Sequence, residues 1–324
     1  MKHFSFTGVP TVDYYYLYQE TEPRVVLGST AIYASAALAK QGADILFSGP
    51  IGNNLNMDLL IPLKKLGILF ELHQLDGIQP WLKMVFAANG QVTSLEIDTT
   101  CANDFKSDQL SKSFWNTHAC WIGTSSHNYA VSVANHGQRQ SCEIILSPQG
   151  QFGYRMNDIV TLIEKTDFLN CNTSEMASLG NGHLDVGLDI LNSINPDLQI
   201  LLTRGRYGAW YLNQDEVFSI PAIPQIESEF LVGAGDTFAA TFHYHRIQGN
   251  PIQTCLQRAT VASSLKIRGF SYTQMATLDE ILSETKKLEP LLEVTNINRL
   301  SHEVTKWFRT ENPDSTQEGT IELK

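Results

Sequence analysis

Apolar residues along this chain gather in short extended runs separated by amphipathic stretches, the rhythm of a parallel sheet flanked by helices. The runs HFSFTGV (3–9), DILFSGP (44–50), HACWIGT (118–124), CEIILS (142–147), TDFLNC (166–171) and LQILLT (198–203) read as core strands. Helical periodicity predicts helices over 31–40, 126–137, 173–179 and 184–193. Gly42 supplies a stop after the first, and Asn195-Pro196 lies just beyond the last. Farther on, 239–248 reads as a helix ended by Gly249-Asn250-Pro251, and 251–267 as another.

Two segments break that rhythm. DYYYLYQETEPRVVLG (13–28) sets two β-rich runs around a polar turn containing proline, and WLKMVFAANGQVTSLEID (81–98) places Asn89-Gly90, a strong hairpin signal, between two more. They predict a small accessory sheet with strands over about 13–27 and 81–98. The three tyrosines Tyr14, Tyr15 and Tyr16 suit such a sheet, because aromatic side chains favour strands. Near the C-terminus, Ile297, Leu300, Val304 and Trp307 form a helical stripe, and the polar segment 311–324 after it is expected to stay disordered. With no internal repeat and no linker, 1–310 reads as a single α/β domain.

Composition adds mainly exclusions. The chain of 324 residues is 43% hydrophobic and 18% charged, ordinary for a globular protein. No apolar run approaches the roughly 18 residues of a membrane span. The opening MKHFSFTGVPTVD lacks a long apolar core followed by a cleavage site, so a cytoplasmic location is the expectation. A net charge of -11 opposes binding to nucleic acid or acidic membranes, whose phosphates need clustered Lys and Arg. Backbone amides could still hold a phosphate in an acidic protein, since only nearby dipoles matter. The 5 cysteines, Cys101, Cys120, Cys142, Cys171 and Cys255, are widely spaced and odd in number, which predicts reduced thiols.

Candidate chemistry centres on FLVGAGDTFAATF (230–242), where Asp236 stands as a helix opens behind two glycines. One reading is that the acid merely complements the helix dipole. The other is that the amides of Gly233, Ala234 and Gly235 cradle an anion beside which Asp236 acts as a base. Upstream, LLTRGRYGAWYL carries Thr203, Gly205 and Gly208, either a phosphate-approaching loop or a tight turn before a hairpin. Asn172 and Glu175 are spaced as a helix cap. Asp13 follows FTGVPTV, and Gly28 and Ser29 precede the first helix.

Taken in this order, the motifs resemble those of the ribokinase-like, or PfkB, carbohydrate kinases over most of 4–282. The resemblance implies a mostly parallel central sheet flanked by helices, with the two strand-rich segments forming a β lid that closes over substrate and excludes water. It implies transfer of the γ-phosphoryl group of ATP, with Mg2+, to a hydroxyl of a small sugar or polyol. Nucleoside kinases of the same family and noncatalytic binding or scaffold members are the alternatives. Asp236 would then be the base, with Gly233, Ala234 and Gly235 as the anion hole. Asn172 and Glu175 would organise the phosphates and, indirectly through Glu175, the metal. Thr203, Gly205 and Gly208 would border ATP. Asp13, Gly28, Ser29 and Asn54 would face the acceptor, and open lid edges would permit pairing of two chains.

The chain also departs from the family pattern. Leu27-Gly28 replaces paired glycines, Ile32 and Tyr33 stand near the place of a common asparagine, and Asn54 and Met57 replace a frequent acid and glycine. FLV precedes the cradle where Asp-Thr-Thr, associated with a monovalent-cation site, is familiar, and SPQG (147–150) has serine for aspartate. Other chemistries lack their signatures. There is no P-loop, no early Gly-x-Gly-x-x-Gly and no His-Glu-x-x-His. His243 and His245, two apart on a helix, diverge, and Ser125, Ser126 and His127 are adjacent in sequence rather than arranged as a triad.

Overall fold

Strands whose two faces are both apolar must be covered on both sides. In this protein they are, in a computed structural model that describes residues 3–88, 92–98, 105–148, 156–224 and 230–298. The strands are β1 His3–Thr7, β2 Thr11–Tyr16, β3 Arg24–Gly28, β4 Asp44–Ile51, β5 Leu69–Gln74, β6 Trp81–Phe86, β7 Val92–Asp98 and β8 Ala119–Ile122, then β9 Glu143–Leu146, β10 Phe168–Asn172, β11 Gln199–Thr203, β12 Ala209–Leu212, β13 Glu216–Ile220 and β14 Thr295–Asn298. The helices are α1 Thr30–Lys40, α2 Ile61–Lys65, α3 Lys112–Trp115, α4 His127–Arg139, α5 Met156–Ile163, α6 Thr173–Leu179, α7 Leu184–Ile194, α8 Ala234–Ile247, α9 Ile252–Lys266 and α10 Leu278–Leu288.

A 10-stranded sheet runs in the order β14-β13-β12-β11-β10-β9-β8-β1-β4-β5. From β5 to β11 neighbours are parallel, while β12, β13 and β14 add antiparallel at one edge. Alternation along each strand divides the core. Phe4, Phe6, Phe47, Trp121, Phe168 and Leu201 pack with residues of α1, α8 and α9. Their neighbours Leu46, Cys120, Ile122, Leu169, Ile200 and Leu202 join α4, α6 and α7 on the opposite face. A separate 4-stranded sheet, β3-β2-β6-β7, fits the expected lid. Within it β2 pairs antiparallel with β3 and parallel with β6, and β6 pairs antiparallel with β7.

The differences from the sequence reading have local causes. Helix α8 begins at Ala234, so the glycine motif is itself the first turn. Strand β5 carries Glu71, His73 and Gln74 on a half-exposed edge, which hides its pattern. Ile297, assigned by periodicity to a helix, lies in β14, because the free edge of β13 offers it ladder bonds from Ser219 to Glu216. Leu300, Val304, Trp307, the segment 311–324, the Asn89-Gly90 turn, Cys101 and Gly150 lie outside the described residues. The remaining cysteines, Cys120, Cys142, Cys171 and Cys255, are free and buried. Among the described residues, no helix is long and apolar enough to cross a membrane.

Phe242 of α8 is fully buried, its ring 5.9 Å from Phe168 and 5.6 Å from Tyr211. Phe242→Ala should lower the free energy of unfolding by about 3–5 kcal/mol in chemical denaturation. An unchanged midpoint would show that α8 does not depend on this contact.

Candidate functional site

Asn172 and Thr203 end the parallel strands β10 and β11 and Asn54 follows β4, at the carboxyl ends where such sheets usually have a crevice, while Asp13 and Gly28 lie on the small sheet and Asp236 opens α8. Gly233 turns the chain into α8 with φ 79° and ψ 3°. That left-handed geometry favours glycine. Space requires it as well, since a Cβ there would lie 2.1 Å from Cδ1 of Tyr33. No side chain caps α8. The Ala234 amide donates to the Leu231 carbonyl at 3.0 Å, whereas the amides of Gly235 and Asp236, in the first turn, have no intrahelical acceptor. A Cβ on Gly235 would meet nothing within 4 Å. The cradle therefore faces open space, and Asp236 beside it is only partly buried.

Desolvation pushes the Asp236 carboxyl from its usual 3.8 up to about 7, against the opposing pull of the Lys266 ammonium. Lys266 is fully buried and is itself pushed down to about 8 by burial, with Asp236 acting in the opposite direction. Its Nζ donates to the Phe230 carbonyl at 3.0 Å. Sequence reasoning missed this lysine. The signal was present, because Cys255, Ala259, Ala262 and Lys266 continue one buried stripe of α9 at helical spacing.

At the ends of the parallel strands, register places Asn172 of β10 opposite Thr203 of β11. Asn172 Oδ1 accepts from the Glu175 amide at 2.8 Å, and Glu175 Oε2 accepts from the Asn172 amide at 2.9 Å. The capping alternative is thus realised at the start of α6, on an exposed asparagine. Thr203 donates to the Cys171 carbonyl at 3.4 Å. The turn that follows has Gly205 at φ 52° facing open space and Gly208 at φ 92°. At Gly208 a Cβ would lie 2.0 Å from the Ile220 carbonyl oxygen. The hairpin β11–β12 therefore needs that glycine for its own packing. Arg204 stacks over Trp210 at 4.7 Å.

Asp13, Gly28 and their neighbours meet more tightly. Asp13 is 2% exposed, and a Cβ on Gly28 would lie 1.9 Å from its Oδ2. Thr11 donates to Asp13 Oδ1 at 2.6 Å, Tyr15 donates to Oδ2 at 2.8 Å, and the Tyr15 and Tyr33 hydroxyls meet at 2.9 Å. Tyr15 and Tyr33, both buried, were not anticipated as site residues. Ser29, at φ 118°, caps α1 by accepting from the Ile32 amide at 3.4 Å. Asn54 is exposed, and its Oδ1 accepts from the Gln79 amide at 2.6 Å. Buried Gln79 also accepts from the Gly52 amide at 2.8 Å and donates to the Pro10 carbonyl.

The other residues considered from sequence are structural. His243 meets Asn170 Oδ1 at 2.9 Å and stacks edge-on against Trp121 and Phe168, while His245 meets Arg258. Ser126 caps α4. Among the described residues, no group of three His, Cys, Asp or Glu side chains could hold a metal ion by itself. A pocket of about 490 Å³ on the small sheet, lined by Tyr16, Tyr18, Glu20, Lys83, Val85 and Phe86, shares no residue with the cradle.

The family model for pfkB family carbohydrate kinases matches residues 25–277. No curated protein matches the sequence. Similar solved structures include an Arabidopsis thaliana ribokinase complexed with ribose and ATP, 19% identical with a TM-score of 0.74, covering 88% of this chain and 99% of that one. A Burkholderia thailandensis nucleoside kinase in complex with inosine is 16% identical with a TM-score of 0.76, covering 90% of this chain and 100% of that one. A Methanocaldococcus jannaschii nucleoside kinase is 18% identical with a TM-score of 0.72, covering 89% and 99%. At these identities the likeness is one of fold.

Burial raises Asp13 from 3.8 to about 7, outweighing the hydrogen bonds from Thr11 and Tyr15. Because the folded-state value is the higher one, the folded protein holds the proton more tightly, and stability falls as pH rises from about 4 through 7. Thermal unfolding of the wild type should weaken across that window more than that of Asp13→Asn, which mimics the neutral acid. Equal slopes would contradict the assignment.

Proposed function

The chain belongs to the pfkB family of carbohydrate kinases, and on that footing we propose that it transfers the γ-phosphoryl group of ATP to a hydroxyl of a small sugar, polyol or nucleoside. The observation that carries this reading is Asp236, partly open to solvent beside uncapped first-turn amides and next to the open space at Gly235. A carboxylate titrating near about 7 has the basicity a general base needs near neutral pH. In this reading Asp236 accepts the acceptor hydroxyl's proton as the new O–P bond forms, and the bond to the β-phosphate oxygen breaks to release ADP. The amides at Gly235 and Asp236 neutralise charge on the migrating phosphoryl oxygens. Gly233 sets their direction.

Thr203, Gly205 and Gly208 would border the nucleotide, the open face at Gly205 admitting it closely. Asn172 and Glu175 offer hard oxygens, which suit Mg2+ held mainly by phosphates and water. With Glu175 already closing the start of α6, its approach to that ion is indirect. Bound Mg2+ would supply charge neutralisation between the β- and γ-phosphates. Asp13, Gly28, Ser29 and Asn54 would face the acceptor. The ribose and inosine complexes of the similar structures support an acceptor drawn from sugars and nucleosides.

One observation favours a second reading, a noncatalytic binding or scaffold protein. Both Asp13 oxygens are already bonded by Thr11 and Tyr15 within the protein. An acceptor screen with ATP and Mg2+, reading phosphorylated product across sugars, polyols and nucleosides, separates the two: product supports the kinase, and ATP binding without product supports the scaffold. Thermal shifts with adenosine-like compounds or free sugars distinguish the acceptor classes, because a ligand of the folded state raises its stability. Asp236→Asn should stay folded and lose turnover by about 10²–10⁴-fold. Near-normal turnover in that variant would remove Asp236 from the role of base.

A further inference from the structure

A lysine is seldom buried without partners, and Lys266, at 0% exposure, sits at the last turn of α9. The negative end of the helix dipole favours an ammonium there. That end of α9 is bonded repeatedly to the segment entering α8. Lys266 Nζ donates to the Phe230 carbonyl at 3.0 Å, the Phe230 amide donates to the Ile267 carbonyl at 3.3 Å, and Ser263 Oγ donates to the Ala234 carbonyl at 3.0 Å. The Tyr33 ring, which sets the space at Gly233, lies 5.8 Å from the Lys266 ammonium.

We propose that Lys266 is a positioning residue for Asp236: its buried ammonium, bonded to the Phe230 carbonyl, clamps the backbone leading into the amide cradle. The inference rests on Asp236 serving as the base of the proposed kinase. Its physical content can nevertheless be read without any acceptor. The two groups act on each other electrostatically, each opposing the shift that burial imposes on the other. Removing the ammonium leaves desolvation of Asp236 unopposed, and removing the carboxylate does the same for Lys266.

Other titratable groups around the pair are phenols and one distant acid. Tyr33 of α1 presents its ring to the ammonium, and its hydroxyl meets Tyr15 of β2. Beyond them lie Asp13 of β2 and Tyr272, in the turn after α9. Burial pushes the Tyr33 phenol well above its ordinary value and the Tyr272 phenol up to about 12, so neither ionises near neutral pH. Burial pushes Asp13 up to about 7, and its charge acts on the Tyr33 phenol. Asp13→Asn therefore serves as the background that isolates Asp236.

The test is a carbon-13 titration of the Asp236 carboxyl, assigned with Asp236→Asn, in the full chain. Lys266→Met should raise the midpoint by about one pH unit or more, and Lys266→Arg should keep it near the wild-type value. In the reciprocal measurement, nitrogen-15 detection of Lys266 should show its midpoint lowered in Asp236→Asn. This second arm uses a variant expected to fold, so it decides the matter even where Lys266→Met does not. An unmoved midpoint in either folded variant overturns the proposal. Turnover keeps the two readings apart: shifted midpoints without product from any acceptor leave the interaction of Lys266 with Asp236 standing while the kinase reading fails. Product formed by Lys266→Met at the wild-type rate, with an unmoved acid limb, removes Lys266 instead.

Discussion

The backbone at Gly233 passes so close to the Tyr33 ring that no side chain fits between them. That contact fixes where α8 begins and therefore where its first amides point. A helix start aimed at the core would have to bury unsatisfied donors, which costs free energy. Aimed at the open space beside Gly235, the same donors form a place for negative charge. The aromatic ring of α1 thus does what a coordinating loop does elsewhere: it turns a helix terminus outward and keeps it there. The bonds from α9 hold the other side of the turn.

Burial has opposite meanings at the two acids of this site. At Asp236 it raises the carboxyl to about 7 against the pull of a lysine, while the residue keeps some exposure. Asp13, by contrast, is enclosed, and its oxygens are already bonded by neighbours on its own strand. Each carboxylate oxygen has more than one lone pair, so an incoming hydroxyl can add to these bonds, but it must enter a site where Asp13 is 2% exposed.

Much of the architecture was legible because strand and helix periods are imposed by covering one sheet on two faces. Phe4, Phe6 and Phe47 advertise one face, and Leu46, Ile144 and Leu146 the other. Edge elements were less legible. Half-exposed β5 has no pure pattern, and the strand at Ile297 forms through ladder bonds to β13 that no local periodicity encodes. At the site, the glycine-acid motif stood out because glycine is needed where backbone must approach something closely. Lys266 did not, since a lysine in a helix ordinarily reads as a solvated residue. Tyr15 and Tyr33 were read as strand and helix aromatics, and their hydroxyl chain to Asp13 appears only once separate elements are brought together.

Gln79 bridges two of the paths by which the chain enters the small sheet. Its side chain holds Pro10, just before β2, and Gly52, after β4, while its own amide is held by Asn54 just before β6 begins. A crosspiece of this kind removes the freedom of one strand to swing without the other. Any tilting of the small sheet then carries β2 and β6 together as one stiff plate.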